Sequence, residues 1–234
     1  MFNENYDLAV IIPAKGPSLS LRLPNKNALP FGDKNSLLEW KISQLLQVIQ
    51  PYRIYVSTEY EPFKEIARNY GVNVHDRDLI LVDDNKSTVS DIVFGVVKDI
   101  KHEHIAWCHC TVPLMSPMEY LLSFNCYYSN VINGNFDSLI TVNLFKEFLW
   151  NENSAINYSA DKNHSVSQKL PDWYKLTQGL LMRPFTDIIN EKYYVGKNPF
   201  KFELPKISGI DIDYPEDYEI AKALYPLYLE KNKQ

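Results

Sequence analysis

Residues 8–13 form a continuous apolar run closed by a proline, as a strand buried on both faces reads. A polar, basic stretch from 15 to 34 follows. Over 36–49, apolar residues at 38, 42, 45, 46 and 49 make a helical stripe. The alternation continues with a strand at 53–57, a helix at 61–70 closed by Gly71, and a short strand at 72–75. A helix at 88–100, a strand at 105–109 and a helix at 117–130 complete this part. Such a rhythm predicts right-handed crossovers and an α/β fold with a mostly parallel sheet. Ligands on such sheets sit beyond the carboxyl ends of the strands. The loops after Pro13, Ser57 and His109 are therefore expected to face the site.

After residue 138 the rhythm breaks. Segments 138–143 and 175–182 read as extended, while 151–169 is irregular and rich in Asn, Ser, Asp and Lys. Residues 207–212 read as a strand, and 215–225 as a closing helix with proline in its first turn. No linker or repeat divides the chain. The expectation is one domain, 1–234, with 140–205 reaching out from the core as an insertion.

Composition narrows the functional classes. With 45% hydrophobic and 23% charged residues, the chain is neither disordered nor a coiled coil. Its 24 basic and 29 acidic residues give a net charge of −5, which argues against a broad nucleic-acid-binding face. The 16 Tyr, 11 Phe and 4 Trp allow a large core and adhesive pocket walls. No run approaches the roughly 18 apolar residues of a membrane helix, and residues 8–12 are too short for a signal peptide. The three cysteines, Cys108, Cys110 and Cys126, form no CxxC pair, so reduced thiols and a cytoplasmic location are expected. Cys108-His109-Cys110 reads as a strand end, because no further cysteine lies near enough to complete a zinc site. His102 and His104 read as solvated cations where a helix ends. Ser18, Ser57 and Ser138 have no His–acid partners at recognisable spacing, so a serine nucleophile is not expected. Asp83–Asp84 reads as a loop pair.

The stretch IPAKGPSLSLRLPNKN (12–27) concentrates the candidate chemistry. A buried strand ends there, and Lys15, Arg22 and Lys26 follow with small residues whose backbone amides are available to a polyphosphate. Neither a Walker A loop nor GxGxxG is present. Near the other end, Asp211 and Asp213 lie two residues apart in GIDIDYPED, so alternation places both carboxylates on one face. Two oxygen ligands on one face suit Mg²⁺, which keeps waters and bridges phosphate oxygens. The same residues also suit a strand-to-helix turn, with Asp213 as cap and Pro215 in the first turn.

These motifs, with LPFGDKNSLLEWKI (29–42), YVSTEYEPFKEIARNYGVNV (55–74) and RDLILVDDNKSTVSDIV (77–93), resemble the acylneuraminate, or CMP-sialic acid synthetase-like, cytidylyltransferases. The likeness runs nearly the full chain in the same order. It implies a Rossmann-like nucleotide-diphospho-sugar transferase fold, CTP as co-substrate, Mg²⁺, a homodimer and a role in surface glycan synthesis. By the same likeness, Lys15 contacts the triphosphate, Lys26 and Asn27 hold phosphate and ribose, and Arg22 takes the place of the family's first loop lysine. Arg77, Ser87 and Thr88 match residues that read cytosine and ribose; taken alone, Arg77 also suits a surface ion pair with Asp76 or Asp78. Asp211 is the expected proton acceptor. His109 and Gln178 fall at acceptor-contacting positions, where the family has Gln and Asn. Ser167 replaces a family arginine, so Lys169 or Arg183 is the expected substitute, and N-acetylneuraminic acid is not expected to be the best acceptor. Other sugar acids, a phosphorylated or phosphonate acceptor, a glycosyltransferase, and an inactive nucleotide-binding homologue all remain open on sequence. The aromatic residues Phe145, Phe148, Trp150, Trp173, Tyr174 and Phe200 suit either a dimer interface within 140–205 or core.

Overall fold

The computed structural model describes residues 6–17, 22–83 and 85–232; Ser18, Ser20 and Asp84 lie outside that set. Strand β1 (Leu8–Pro13) is buried on both faces. Leu8, Val10 and Ile12 point into one hydrophobic core, and Ala9 and Ile11 into a second on the other side of the sheet. Strands β2 (Ile54–Thr58), β3 (Asn73–Asp76) and β4 (His104–Trp107) complete a parallel half in the order β3-β2-β1-β4. Helices α1 (Leu37–Leu45), α2 (Glu61–Asn69), α4 (Pro117–Tyr127) and α6 (Pro215–Lys231) feed the first core. Helices α3 (Val89–Val97) and α5 (Phe185–Glu191) feed the second. The result is a three-layer α/β sandwich, as the alternation required.

Local chemistry sets the helix boundaries. Ser36 accepts from Glu39 N at the start of α1. Reciprocal capping boxes, Thr88 with Asp91 and Ser116 with Glu119, open α3 and α4. Gly71 ends α2 at φ +69, a conformation that a side chain resists.

The second half departs from the sequence expectation. Most of 140–205 does not reach outward. Strands β5 (Ser138–Phe145), β6 (Trp173–Pro184) and β7 (Pro199–Glu203) extend the same seven-stranded sheet, in the order β4-β6-β5-β7. β6 runs antiparallel to both β4 and β5, so no crossover helix separates β5 from β6 and the βα rhythm stops. Outside the sheet lie 185–198, which includes α5, and 146–172, which carries Phe148, Trp150, Tyr158 and His164 in a small aromatic cluster. Phe200 instead packs on Phe136 beside the first core. The strand expected at 207–212 is a 3₁₀ turn, Lys206–Gly209, followed by extended chain. There Ile212 N donates to Thr111 O, tying the segment to the loop after β4 rather than to a strand.

His102 and His104 are not solvated side chains at a helix end. His104 opens β4, hydrogen-bonds the Tyr127 hydroxyl, and is driven toward the neutral form by burial. His102 lies between Asp7 Oδ1 (2.6 Å) and the Tyr55 hydroxyl (3.0 Å).

Candidate active site

A cavity of about 730 Å³ opens at the carboxyl ends of the parallel strands. Its walls come from Pro13 at the end of β1, from Arg77 after β3, and from His109–Thr111 after β4. β6, the start of α3 and the 211–217 segment close it. The loop after β2 contributes indirectly: Glu59 Oε1 accepts from Gly16 N at 2.6 Å and holds the basic loop in place. A Cβ at Gly16 would stand 2.8 Å from that oxygen and push the Glu59 carboxylate aside.

Lys15, Arg22 and Lys26 all line the cavity. Arg22 Nη2 and Lys26 Nζ converge on Asp213 Oδ1, at 2.7 and 3.0 Å. Arg22 also lies over the Tyr214 ring. Asn27 reaches the cavity wall, but its amide is committed: Nδ2 donates to Lys15 O, and Oδ1 accepts from Cys110 Sγ. It splices the basic loop to the chain after β4.

Asp211 and Asp213 both face the cavity, with Ile212 fully buried between them. The i, i+2 alternation therefore holds without a strand. Asp213 is not the cap of α6. The N-cap is Tyr214, and Asp217 in the first turn folds back to accept from the backbone amides of Asp213 and Tyr214, which leaves the Asp213 carboxylate to the cations. Asp211 Oδ1 accepts from the Thr111 hydroxyl at 2.6 Å. Burial pushes the Asp211 carboxyl above its ordinary range, and the Thr111 bond opposes this. Among the described residues no group of three or more His, Cys, Asp or Glu side chains is placed to hold a metal. Two carboxylates on one wall nevertheless fit Mg²⁺, which needs few protein ligands when phosphate and water supply the rest.

Arg77 is buried and is not a surface ion pair. Its Nη2 and Nε donate to Ser57 O and Ser57 Oγ, at 2.7 and 3.1 Å. Burial lowers its pKa to about 10, so it stays charged at neutral pH. Ser57 does have a His–acid neighbourhood: its Oγ meets His75 Nδ1 at 2.9 Å, and His75 Nε2 lies 3.5 Å from Asp99. Ser57 is fully buried and accepts from Arg77, so this set braces Arg77 rather than forming a nucleophile. Ser87 and Thr88 do not join the wall. Ser87 Oγ donates to Ile80 O, and the Thr88 hydroxyl caps α3. Val89, Ile92 and Val93, further along the same helix, line the cavity in their place.

His109 faces the cavity and accepts from Trp107 Nε1 through its own Nε2, at 3.1 Å. Burial first, then Lys26 and Arg77, depress its pKa to about 4. The protonated imidazole that would have suited an anionic acceptor is thus absent at neutral pH, and the neutral ring keeps Nδ1 as its donor. Gln178 lines the cavity with φ 58, and its Oε1 is buried without a partner among the described residues. Neither substitute for the missing arginine arrives. Arg183 is held by Glu191 (2.7 Å) and Tyr193 O, and Lys169 sits on a 3₁₀ turn outside the wall. Lys175, unmarked by any motif, supplies a cation beside Leu176 and Tyr194. Alternation along β6 was the only signal for Lys175, and Tyr194 carried none.

Residues 9–233 match the family described as cytidylyltransferase. The chain belongs to the cytidylyltransferase family. It is 26% identical over 224 residues to a pseudaminic acid cytidylyltransferase from Campylobacter jejuni subsp. jejuni, covering 92% of this chain and 94% of the relative. It is 24% identical to an N-acylneuraminate cytidylyltransferase from Escherichia coli, covering 97% of this chain and 53% of that protein. Two solved structures share the fold. A CMP:2-keto-3-deoxy-manno-octonic acid synthetase complexed with CTP has a TM-score of 0.63 at 13% identity, covering 94% of this chain and 98% of that one. A 4-diphosphocytidyl-2C-methyl-D-erythritol synthase from Anaerococcus prevotii has a TM-score of 0.66 at 15% identity, covering 94% and 96%. The cytidylyltransferase is thus a nucleotidyltransferase of Rossmann-like architecture. No helix among its described residues is long and apolar enough to cross a membrane.

Proposed function

We propose that this cytidylyltransferase transfers CMP from CTP to a hydroxyl of a sialic-acid-like sugar acid and releases pyrophosphate. The observation that carries the reading is the cavity in which Lys15, Arg22 and Lys26 face Asp211 and Asp213, with the braced guanidinium of Arg77 on the same wall. Asp213 holds Arg22 and Lys26 as a phosphate oxygen would. A triphosphate takes over those cations. Lys15 and Lys26 then stabilise charge on the departing pyrophosphate. Arg77 donates to O2 of cytosine, and its bonds to Ser57 fix the direction of that donor.

In the reaction the acceptor oxygen forms a bond to the α-phosphorus while the bond from α-phosphorus to the bridging β-oxygen breaks. The acceptor proton passes to the Asp211 carboxylate, whose raised pKa makes it a better proton acceptor than an exposed carboxylate. Asp211 and Asp213 would also hold Mg²⁺, whose chemistry is to neutralise phosphate charge. Lys175 pairs with the acceptor carboxylate, while neutral His109 and Gln178 contact acceptor hydroxyl or amide groups. Loss of the bidentate arginine at Ser167 supports an acceptor other than N-acetylneuraminic acid. The relatives named for pseudaminic and N-acylneuraminic acids support the acceptor class. The reading includes a homodimer built on the 146–172 segment, whose Trp150 is 59% exposed, and work in the cytoplasm with its three cysteines free.

Pyrophosphate release measured with CTP, Mg²⁺ and a panel of sugar acids, phosphosugars and phosphonates tests this. Turnover is expected with a nine-carbon sugar acid, and loss of it in Asp211→Ala and Asp213→Ala with a cooperative melting transition retained. Turnover only with a phosphorylated or phosphonate acceptor would overturn the sugar-acid reading. N-acetylneuraminic acid with the highest kcat/KM of the panel would overturn the arginine argument.

A further inference from the structure

Lys41 of α1 does not line the cavity, yet its side chain is completely buried. An ammonium carries three protons, and three acceptors surround this one. They are Gln44 Oε1 at 2.9 Å, Val112 O at 2.8 Å and the Tyr120 hydroxyl at 2.5 Å. A well-packed apolar side chain at such a place is often no less stable than a buried charge. Filling the core therefore does not account for a lysine here, and its partners do.

Three side chains of α1 grip one loop. Trp40 Nε1 donates to Pro113 O, Gln44 Nε2 to Pro113 O and Met115 O, and Lys41 Nζ to Val112 O. The residue before Val112 is Thr111, whose hydroxyl donates to Asp211 Oδ1 and whose carbonyl accepts from Ile212 N. A continuous set of bonds thus leads from the core of α1 to the carboxylate on the cavity wall.

We infer that Lys41 is a positioning residue: by fixing the Val112 carbonyl it orients Thr111, and through Thr111 the face that Asp211 turns to the acceptor hydroxyl. This rests on Asp211 as the proton acceptor. In K41M the Val112 carbonyl loses its donor, the turn relaxes, and the Thr111 hydroxyl leaves Asp211. The Asp211 carboxylate then loses the donor that fixes the direction of its Oδ1.

The test compares wild type, K41M, T111V and the double variant by steady-state pyrophosphate release, with a crystal structure of K41M. T111V alters the cavity wall and leaves the core intact, so it probes the same path should K41M not fold. The expected result is kcat lower by about tenfold to a hundredfold in either single variant, with KM for CTP unchanged. The double variant is no worse than the worse single. A merely structural lysine lowers the folded fraction and the melting temperature, and its loss adds to that of T111V. A T111V with wild-type kcat, or additive losses in the double variant, overturns the inference. So does a K41M structure that keeps Thr111 bonded to Asp211, whatever the activity. A fully active D211N strikes the proton-acceptor reading instead, and is thereby distinguished from failure of the Lys41 path.

Discussion

Replacing Gln178 by glycine should make the protein more stable and less able to use its acceptor. Gln178 sits in β6 at φ 58, where the Cβ of an L-residue crowds the following carbonyl at a cost of about 1–2 kcal/mol. Its Oε1 is buried without a partner among the described residues, which costs about 1–3 kcal/mol more. The Gln178→Gly variant would relieve both. It would lose the burial of two half-covered methylenes, about 1 kcal/mol, and free the unfolded backbone, about 0.4–1 kcal/mol. The balance favours the variant by about 1–2 kcal/mol, which for a chain of this size is a rise in melting temperature of about 2–8 °C. The strain is retained because the side chain serves the cavity. Its loss should therefore raise KM for the sugar acid by about 2- to 13-fold, the equivalent of one hydrogen bond of about 0.5–1.5 kcal/mol, while KM for CTP holds. Thermal denaturation with and without CTP, followed by steady-state kinetics on the same preparation, measures both halves. A melting temperature equal to or below wild type would refute the strain argument, and an unchanged acceptor KM would refute the functional reason for the strain.

Asp211→Asn has a calculable sign: burial raises the folded-state pKa, so the carboxyl's contribution to stability is full below its unfolded pKa and fades as pH rises through the folded value. The Asn variant should melt higher than wild type at pH 7 and converge with it below about pH 4, with turnover lost throughout; a lower melt at pH 7 would contradict this. His109, with its pKa depressed to about 4, should leave no break between about pH 5.5 and 8 in acceptor KM; a break there that vanishes in His109→Gln would show a protonatable ring. Arg77→Lys should weaken CTP and UTP binding alike in calorimetric titration, because O2 is common to both bases and a lysine cannot keep both bonds to Ser57 and a donor toward the base; an unchanged affinity for CTP would place base reading elsewhere. Sedimentation at micromolar concentration should give a dimer that Trp150→Ser weakens, whereas a wild-type monomer would remove 146–172 as an interface.

The parallel half of the sheet, the basic loop and the two carboxylates were legible before any coordinates, because each depends on local pattern. A strand buried on both faces must be apolar throughout, as Leu8–Pro13 is, and two residues at i and i+2 share a side wherever the chain is extended. The resemblance carried Lys15, Arg22, Lys26, Arg77, His109 and Gln178 to one cavity, and all six line it. It also carried Ser87 and Thr88, whose hydroxyls the structure spends on Ile80 and on the start of α3. Only the tertiary structure decided which strand pairs with which, so β5, β6 and β7 entered the main sheet rather than an outlying insertion. It decided that Tyr214, and not Asp213, is the N-cap of α6. It put Lys175 in the cavity, tied Arg183 to Glu191, and buried Lys41 behind the wall. The physical reason is common to these cases. A hydrophobic period is set by the backbone repeat and appears in any short window, whereas the partner of a charged or polar group is set by what comes within about 3 Å of it. That distance is fixed by the packing of segments as much as 191 residues apart, as for Arg22 and Asp213.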